Sequence, residues 1–153
     1  MMGPHDIGAY IASAIALTPA SLVAGAGDDG EEVNGPTIDR LALGSIYLSC
    51  KVVITYSAVL AADETLTITA NVQDDTADDF SDAPADLSPA YPETVVGTGD
   101  DTISGMITLD IPLDMARQYI RLQCTADLSA ADTDTAVVSA VFVFGGGQIY
   151  PAT

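Results

Sequence analysis

Residues 73–84 read QDDTADDFSDAP and place Asp74, Asp75, Asp78, Asp79 and Asp82 on one short stretch. Carboxylates at this density can ligate a hard cation, act as an acid–base pair, or stand in water and repel one another. An EF-hand calcium loop needs glycine at its sixth position and a bidentate glutamate at its twelfth. Counted from Asp74 those positions are Asp79 and Ala85, and counted from Asp75 they are Phe80 and Asp86. The template fails in both registers. An irregular calcium site would need these aspartates to converge, or to join GDDGEE (27–32) or DLSAADTDT (127–135). Charge runs are usually solvated, so no metal ligand and no cofactor is assigned. Carboxylate pairs of the glycosidase kind arise by chance among 22 acids and single out no catalytic residue.

Other chemistries lack their parts. The sole histidine, His5, lies in the N-terminal tail, so a Ser/His/Asp or Cys/His constellation has no imidazole on the scaffold. Cys50 and Cys124 have neither a CxxC partner nor a neighbouring histidine, which argues against a metal thiolate or a nucleophile. GxGxxG, GxxxxGK[ST] and HExxH are absent, and Gly145, Gly146 and Gly147 lead to no helix whose N-terminus could hold phosphate. The expectation is a protein that is not an enzyme. A carbohydrate-binding module is the alternative, with Tyr10, Tyr47, Tyr56, Tyr91, Tyr119 and Tyr150 as the rings available to stack on sugar.

Charge and length bound the rest. The chain has 153 residues, a formal charge of −18 and four cations, Arg40, Lys51, Arg117 and Arg121, so it repels phosphate backbones and anionic headgroups. Neither nucleic acid nor membrane is an expected partner. With 48% apolar residues and a mean hydropathy of +0.32, the chain can still bury a core of one domain. Residues 7–26 carry no Lys, Arg, Asp or Glu, but they are rich in Ala, Gly and Ser, contain Pro19, and lack the positive flank of a signal or membrane segment. They are taken as an N-terminal arm (1–20) ahead of a single β-sandwich domain (21–153). The spacing of Ile7, Tyr10, Ile11, Ala14 and Ile15 permits a short amphipathic helix that packs on its own domain or docks on a neighbour.

The elements that would position any site are strands. Candidates are 21–25, 38–43, 45–56, 65–72, 93–97, 103–111, 118–126 and 135–144, each rich in Val, Ile, Thr or Tyr and bounded by turn residues. In 65–72, Leu66, Ile68, Ala70 and Val72 alternate with Thr65, Thr67, Thr69 and Asn71, as in an antiparallel strand with one wet side. In 45–56, Ile46, Leu48, Cys50, Val52, Ile54 and Tyr56 share one face, and Ile120, Leu122 and Cys124 share another; both thiols are expected in the core. Segment 136–144, AVVSAVFVF, is apolar on both faces, so its outer side needs a cover: a second sheet, the arm, or another chain. A helical turn is expected at 112–118. The fold class is all-β, an antiparallel two-sheet sandwich of about eight strands, jelly-roll or immunoglobulin-like.

The order of segments EVNGPTIDRL, GSIYLSCKVVITYSAVLAADETLTITANVQDD, an acidic Ala/Asp/Pro loop, TVVGTG, GMITLDIPL and YIRLQCTADLSAADTDTAVVSAVFVFGGGQIYPA resembles small structural proteins of tailed bacteriophages, in particular head decoration (cement) proteins. The resemblance covers about residues 32–152. It implies a non-catalytic β-rich protein, made in the host cytoplasm, that forms a dimer or trimer and binds the major capsid protein on the outer surface of the virion. A tail or host-adsorption component would share this texture, and the carbohydrate- or calcium-binding module stays the alternative. Candidate contact residues are Ile7, Tyr10, Ile11 and Ile15 of the arm, Val137, Val141 and Val143 of the last strand, and Arg117 and Arg121, cations free to pair with acidic loops of the same or a neighbouring copy.

Overall fold

Ten strands form two antiparallel sheets in this computed structural model, which describes residues 7–99, 101–129 and 133–148. They are β1 (Ala12–Val23), β2 (Glu32–Asn34), β3 (Ile38–Asp39), β4 (Ile46–Val59), β5 (Thr65–Asp75), β6 (Ala85–Asp86), β7 (Tyr91–Val96), β8 (Thr102–Pro112), β9 (Tyr119–Leu128) and β10 (Thr135–Gln148). One sheet has the order β1-β10-β4-β8; the other has β2-β9-β5-β6, with β3 also on β9 and β7 also on β5. The long pairings are nested, β1 with β10, β2 with β9, β4 with β8 and β5 with β7, so the chain is one long hairpin rolled upon itself. That nesting is the jelly roll rather than the immunoglobulin order. His5, Tyr150 and residues 130–132 of the acidic segment 127–135 lie outside the described residues.

Alternation builds the core. Leu66, Ile68, Ala70 and Val72 of β5, Ile120, Leu122 and Cys124 of β9, Val52 and Ile54 of β4, and Val138, Phe142 and Phe144 of β10 are all buried between the sheets. Burial pushes the Cys50 thiol up to about 12 and the Cys124 thiol to about 11; both are free.

Four expectations are corrected. The segment from Ala12 is an edge strand, not an arm: β1 gains a ladder of backbone hydrogen bonds to β10, and the apolar spacing that suggested a helix resolves into a single 3₁₀ turn at Ile7–Ala9. Small residues matter here, because a Cβ on Gly35 would collide with the Ala16 carbonyl where the β2–β3 connection crosses β1. Ile46 and Leu48 face solvent while Tyr47 enters the core, since β4 loses its alternation at Leu48 and Ser49, opposite a left-handed Gly146 (φ 68°) in β10. The helical turn expected at 112–118 is instead a turn without helix, ordered by Arg40, and the end of the 38–43 candidate is a 3₁₀ turn, Arg40–Leu43, capped by Asp39.

Candidate functional site

The aspartates of 73–84 close on one another's backbone and on Arg117. Asp74, 3% exposed, accepts the Arg117 backbone N–H at 2.7 Å through Oδ2 and its Nε and Nη2 at 3.0 and 2.8 Å through Oδ1. These hydrogen bonds hold the guanidinium charged, raising its pKa. Asp75, wholly buried, accepts N–H groups of Thr76 at 2.6 Å and Asp82 at 3.2 Å, and Asp82 accepts the Thr76 hydroxyl at 2.6 Å. Phe80 is buried beneath the Arg121 guanidinium, 4.1 Å from the ring centroid, which pins the loop to the sandwich. The cluster is a carboxylate-to-backbone staple; no group of three metal ligands forms among the described residues. Arg117 and Arg121, expected at an interface, are engaged within the chain: Arg117 as above, and Arg121 also with Gln73 at 3.0 Å.

Arg40 does parallel work on the neighbouring loop. Its guanidinium donates to the carbonyls of Leu113 at 2.7 Å, Arg117 at 2.9 Å and Tyr47 at 3.3 Å, and also to that of Ala116. Burial without a carboxylate contact pulls its pKa down. Sequence reading missed this role; a lone cation between two apolar strands was the only signal.

These loops belong to one end of the sandwich. The pairs Ala12↔Phe144, Gln148↔Ile46, Ser49↔Pro112 and Asp75↔Tyr119 bring there the starts of β1, β4 and β9 and the ends of β5, β8 and β10. All four cations of the chain lie toward this end. So do Leu41, Ile46, Leu48 and Met115, all exposed, with Met115 86% open to solvent; Ile7, Tyr10 and Ile11, exposed as well, lead into β1 here. Between β4, β8 and β10 lies an open, largely apolar depression of about 530 Å³ lined by Ile11, Leu48 and Val143 together with the charged Lys51, Asp110 and Asp114. The opposite end joins Val23↔Thr135, Val59↔Thr102 and Leu66↔Leu128, and its turns carry Asp28, Asp29, Glu31, Asp63, Glu64, Asp101 and Asp134 without one Lys or Arg.

The two outer faces differ as well. On the six-stranded sheet Asn71 donates to Asp86 and Gln123, Gln73 to Asp86, and Gln123 to Glu32 and Asn34, a closed polar net. On the four-stranded sheet Ile15 pairs with Val141 and Val141 with Val53, and Val137 and Val141 remain 43% and 42% exposed. Neither the second sheet nor any other described segment covers the outer side of β10. Of the expected contact residues, the fold therefore groups Ile15, Val137, Val141 and Val143 on one face and Ile7, Tyr10 and Ile11 at the apolar end. Among the described tyrosines, Tyr47 packs on Phe144, Tyr56 lies against Gly105, and Tyr91 is on β7, so these three share no single face.

The class these elements define is an antiparallel jelly-roll sandwich, one end of which exposes apolar side chains beside all four cations and the 78–82 aspartates, while the turns of the other carry acids and no cation. No protein-family model and no curated protein matches the chain. Among solved structures it is similar to a chain of infectious bursal disease virus, Gx strain, at 13% identity and a TM-score of 0.49, covering 92% of this chain and 34% of that one. A chain of the T13 particle of that virus gives 11%, 0.48, 88% and 30% in the same order. The CBM22-1–GH10 modules of Clostridium thermocellum xylanase 10B, complexed with xylohexaose, give 10%, 0.41, 90% and 28%. This chain thus spans about a third of the length of each.

Proposed function

We propose that this chain is a non-enzymatic structural protein of a tailed-bacteriophage virion: a decoration protein that oligomerises, binds the major capsid protein on the outer head, and stiffens the shell. The observation that carries this reading is the unequal make-up of the two ends: at one, Leu41, Ile46, Leu48 and Met115 stand exposed beside the four cations and the 78–82 aspartates, while the turns of the other carry acids and no cation. Exposed apolar side chains gathered at one end of a domain are what a protein partner covers. The acidic end then faces water, keeps particles apart, and avoids the packaged nucleic acid. Jelly rolls recur in viral capsid proteins, an analogy of fold that agrees with the sequence resemblance. Each copy adds a modest interface energy, and many copies together raise the barrier to prying capsid subunits apart.

The test mixes purified protein with heads that lack it. Co-sedimentation and raised resistance of the heads to heat or chelator are expected. Leu48→Asp, which sets a charge in the apolar depression, should weaken binding about thirtyfold, as loss of a contact worth about 2 kcal/mol would, while its own melting temperature holds. Binding unaffected by Leu48→Asp, or no binding at all, overturns the reading.

A further inference from the structure

Every sheet edge but one is protected against pairing. β2, β3 and β6 are only two or three residues long, and β7 carries Pro92 and Glu93. β1 contains Pro19 and shifts register against β10 twice. These are the devices by which proteins blunt an edge. β8 has none of them. Its eleven residues keep one unbroken register with β4, from Ser49↔Pro112 to Val59↔Thr102. Its sole proline is its last residue, and its one charge, Asp110, is neutralised by Lys51 at 2.5 Å. Among the described residues β8 pairs with β4 alone, so the backbone groups along its other side are open to a partner strand.

We propose that the free edge of β8 is where two copies of this chain join, antiparallel across a two-fold axis, merging two four-stranded sheets into a continuous one. The strand is complementary to itself. In the register of full overlap Ile107 lies on the axis; toward the core side Ile103 meets Ile111 and Gly105 meets Leu109, large against small. Ile103, Ile107 and Leu109 are only half-buried in one copy and become covered in two. On the outer side Ser104 meets Asp110, a hydroxyl facing a carboxylate, and Met106, 64% exposed, meets Thr108. The two Asp110 carboxylates stand roughly 20 Å apart along the ladder, beyond the screening length, so no like charges oppose. A second copy is the fitting occupant because the strand is complementary to itself, and a chain of charge −18 can approach its own kind closely only through surfaces of no net charge, of which this edge is one. The inference deepens the self-association within the proposed function.

Sedimentation velocity and native mass spectrometry on the full chain should show a dimer at near-physiological salt. Met106→Lys with Thr108→Lys sets ammonium groups opposite each other across the axis and should raise the dimer Kd about tenfold or more. Met106→Lys with Thr108→Glu sets opposite charges there and should keep the dimer. Val141→Asp, two strands from the edge, should leave it intact. Both β8 positions are solvent-facing, and melting curves confirm that each variant is folded. A wild-type monomer, an odd-numbered oligomer, a dimer indifferent to the double-lysine change, loss of the dimer in the charge-paired variant, or dissociation by Val141→Asp each overturns the inference. Head binding is scored separately: a dimer that fails to sediment with heads sinks the decoration reading alone, and a monomer that does sediment sinks this inference alone.

Discussion

Both ends of the sandwich tie down loops whose backbone groups have lost their strand partners; carboxylates do so at each, as Asp75 does for Thr76 and Asp82, but guanidinium groups do so only at the apolar end. At the apolar end Arg40 gathers carbonyls of Tyr47, Leu113, Ala116 and Arg117, and Arg117 is clamped in turn by Asp74. At the acidic end carboxylates gather N–H groups: Asp29 accepts from Gly25 at 2.7 Å and Leu128 at 2.8 Å, and Asp134 accepts from Ala61 at 3.0 Å. Donors collect carbonyls, acceptors collect amides, and either staple satisfies the buried backbone. The difference lies in what is left outside. Around Arg40 and Arg117 most of the few cations are consumed internally, leaving Leu41, Ile46, Leu48 and Met115 exposed beside Asp78, Asp79 and Asp82; at the other end carboxylate staples stand among further acids with no cation.

The largest effect on this contrast is expected at Arg40. Arg40→Ala removes a donor from four carbonyls, of which that of Leu113 keeps the Ala116 N–H, and should destabilise the fold by about 3 kcal/mol, whereas Asp29→Ala, which removes the acceptor of two N–H groups at a more exposed turn, should lose about 1 kcal/mol. Urea unfolding of the two variants compares the staples directly. Arg40→Lys should recover little, since an ammonium cannot reach the fan of carbonyls that a planar guanidinium spans. Equal losses for Arg40→Ala and Asp29→Ala would erase the distinction between the ends.

Alkaline titration should give the next largest effect. Cys50 lines the apolar depression and Cys124 packs toward the acidic end near Leu22 and Val33; their folded pKa values are pushed to about 12 and about 11, chiefly by burial. The unfolded thiol ionises near pH 9.0, so the folded state binds more protons above that pH. Stability is therefore fully present below about pH 9 and falls as pH rises toward the two raised values, by at most about 1.4 kcal/mol per pH unit for each thiol. Unfolding measured from pH 8 to 11 should show this decline, and Cys50→Ala or Cys124→Ala should each make it shallower.

Much of this architecture was legible because strands advertise themselves locally. The alternation of Leu66, Ile68, Ala70 and Val72 with threonines gives β5 its place and its buried face, and the doubly apolar 136–144 points to a central strand whose outer side lacks a cover. What failed was information that is not local. β1 reads as an arm because its inward residues are mostly alanines, whose burial is decided by the approach of Gly35 and by pairing with β10. Leu48 reads as core because a break in alternation depends on the left-handed Gly146 across the sheet. The aspartates of 73–84 read as one solvated run, yet Asp74 and Asp75 are buried; only the arrival of Arg117, forty-three residues on, distinguishes them from Asp78 and Asp79.

The smallest effect expected tests whether the acidic end bears its charge against its own stability. Asp63 is exposed there at φ 68°, in a left-handed conformation, and donates its N–H to Gly97 at 3.1 Å. Asparagine tolerates that backbone region as well as aspartate does, so Asp63→Asn removes one charge and leaves conformation and hydrogen bond alone. Relief of repulsion from neighbouring acids should then raise stability by a few tenths of a kcal/mol, at about the scale of a single surface charge interaction. Because such repulsion is screened, the gain should vanish in molar salt, where wild type and variant should melt together. Under the proposed function the same substitution should leave head binding untouched, because that reading turns the acidic end to water; a variant that is stabilised equally at all salt concentrations would instead show that Asp63 was a backbone strain and not a charge.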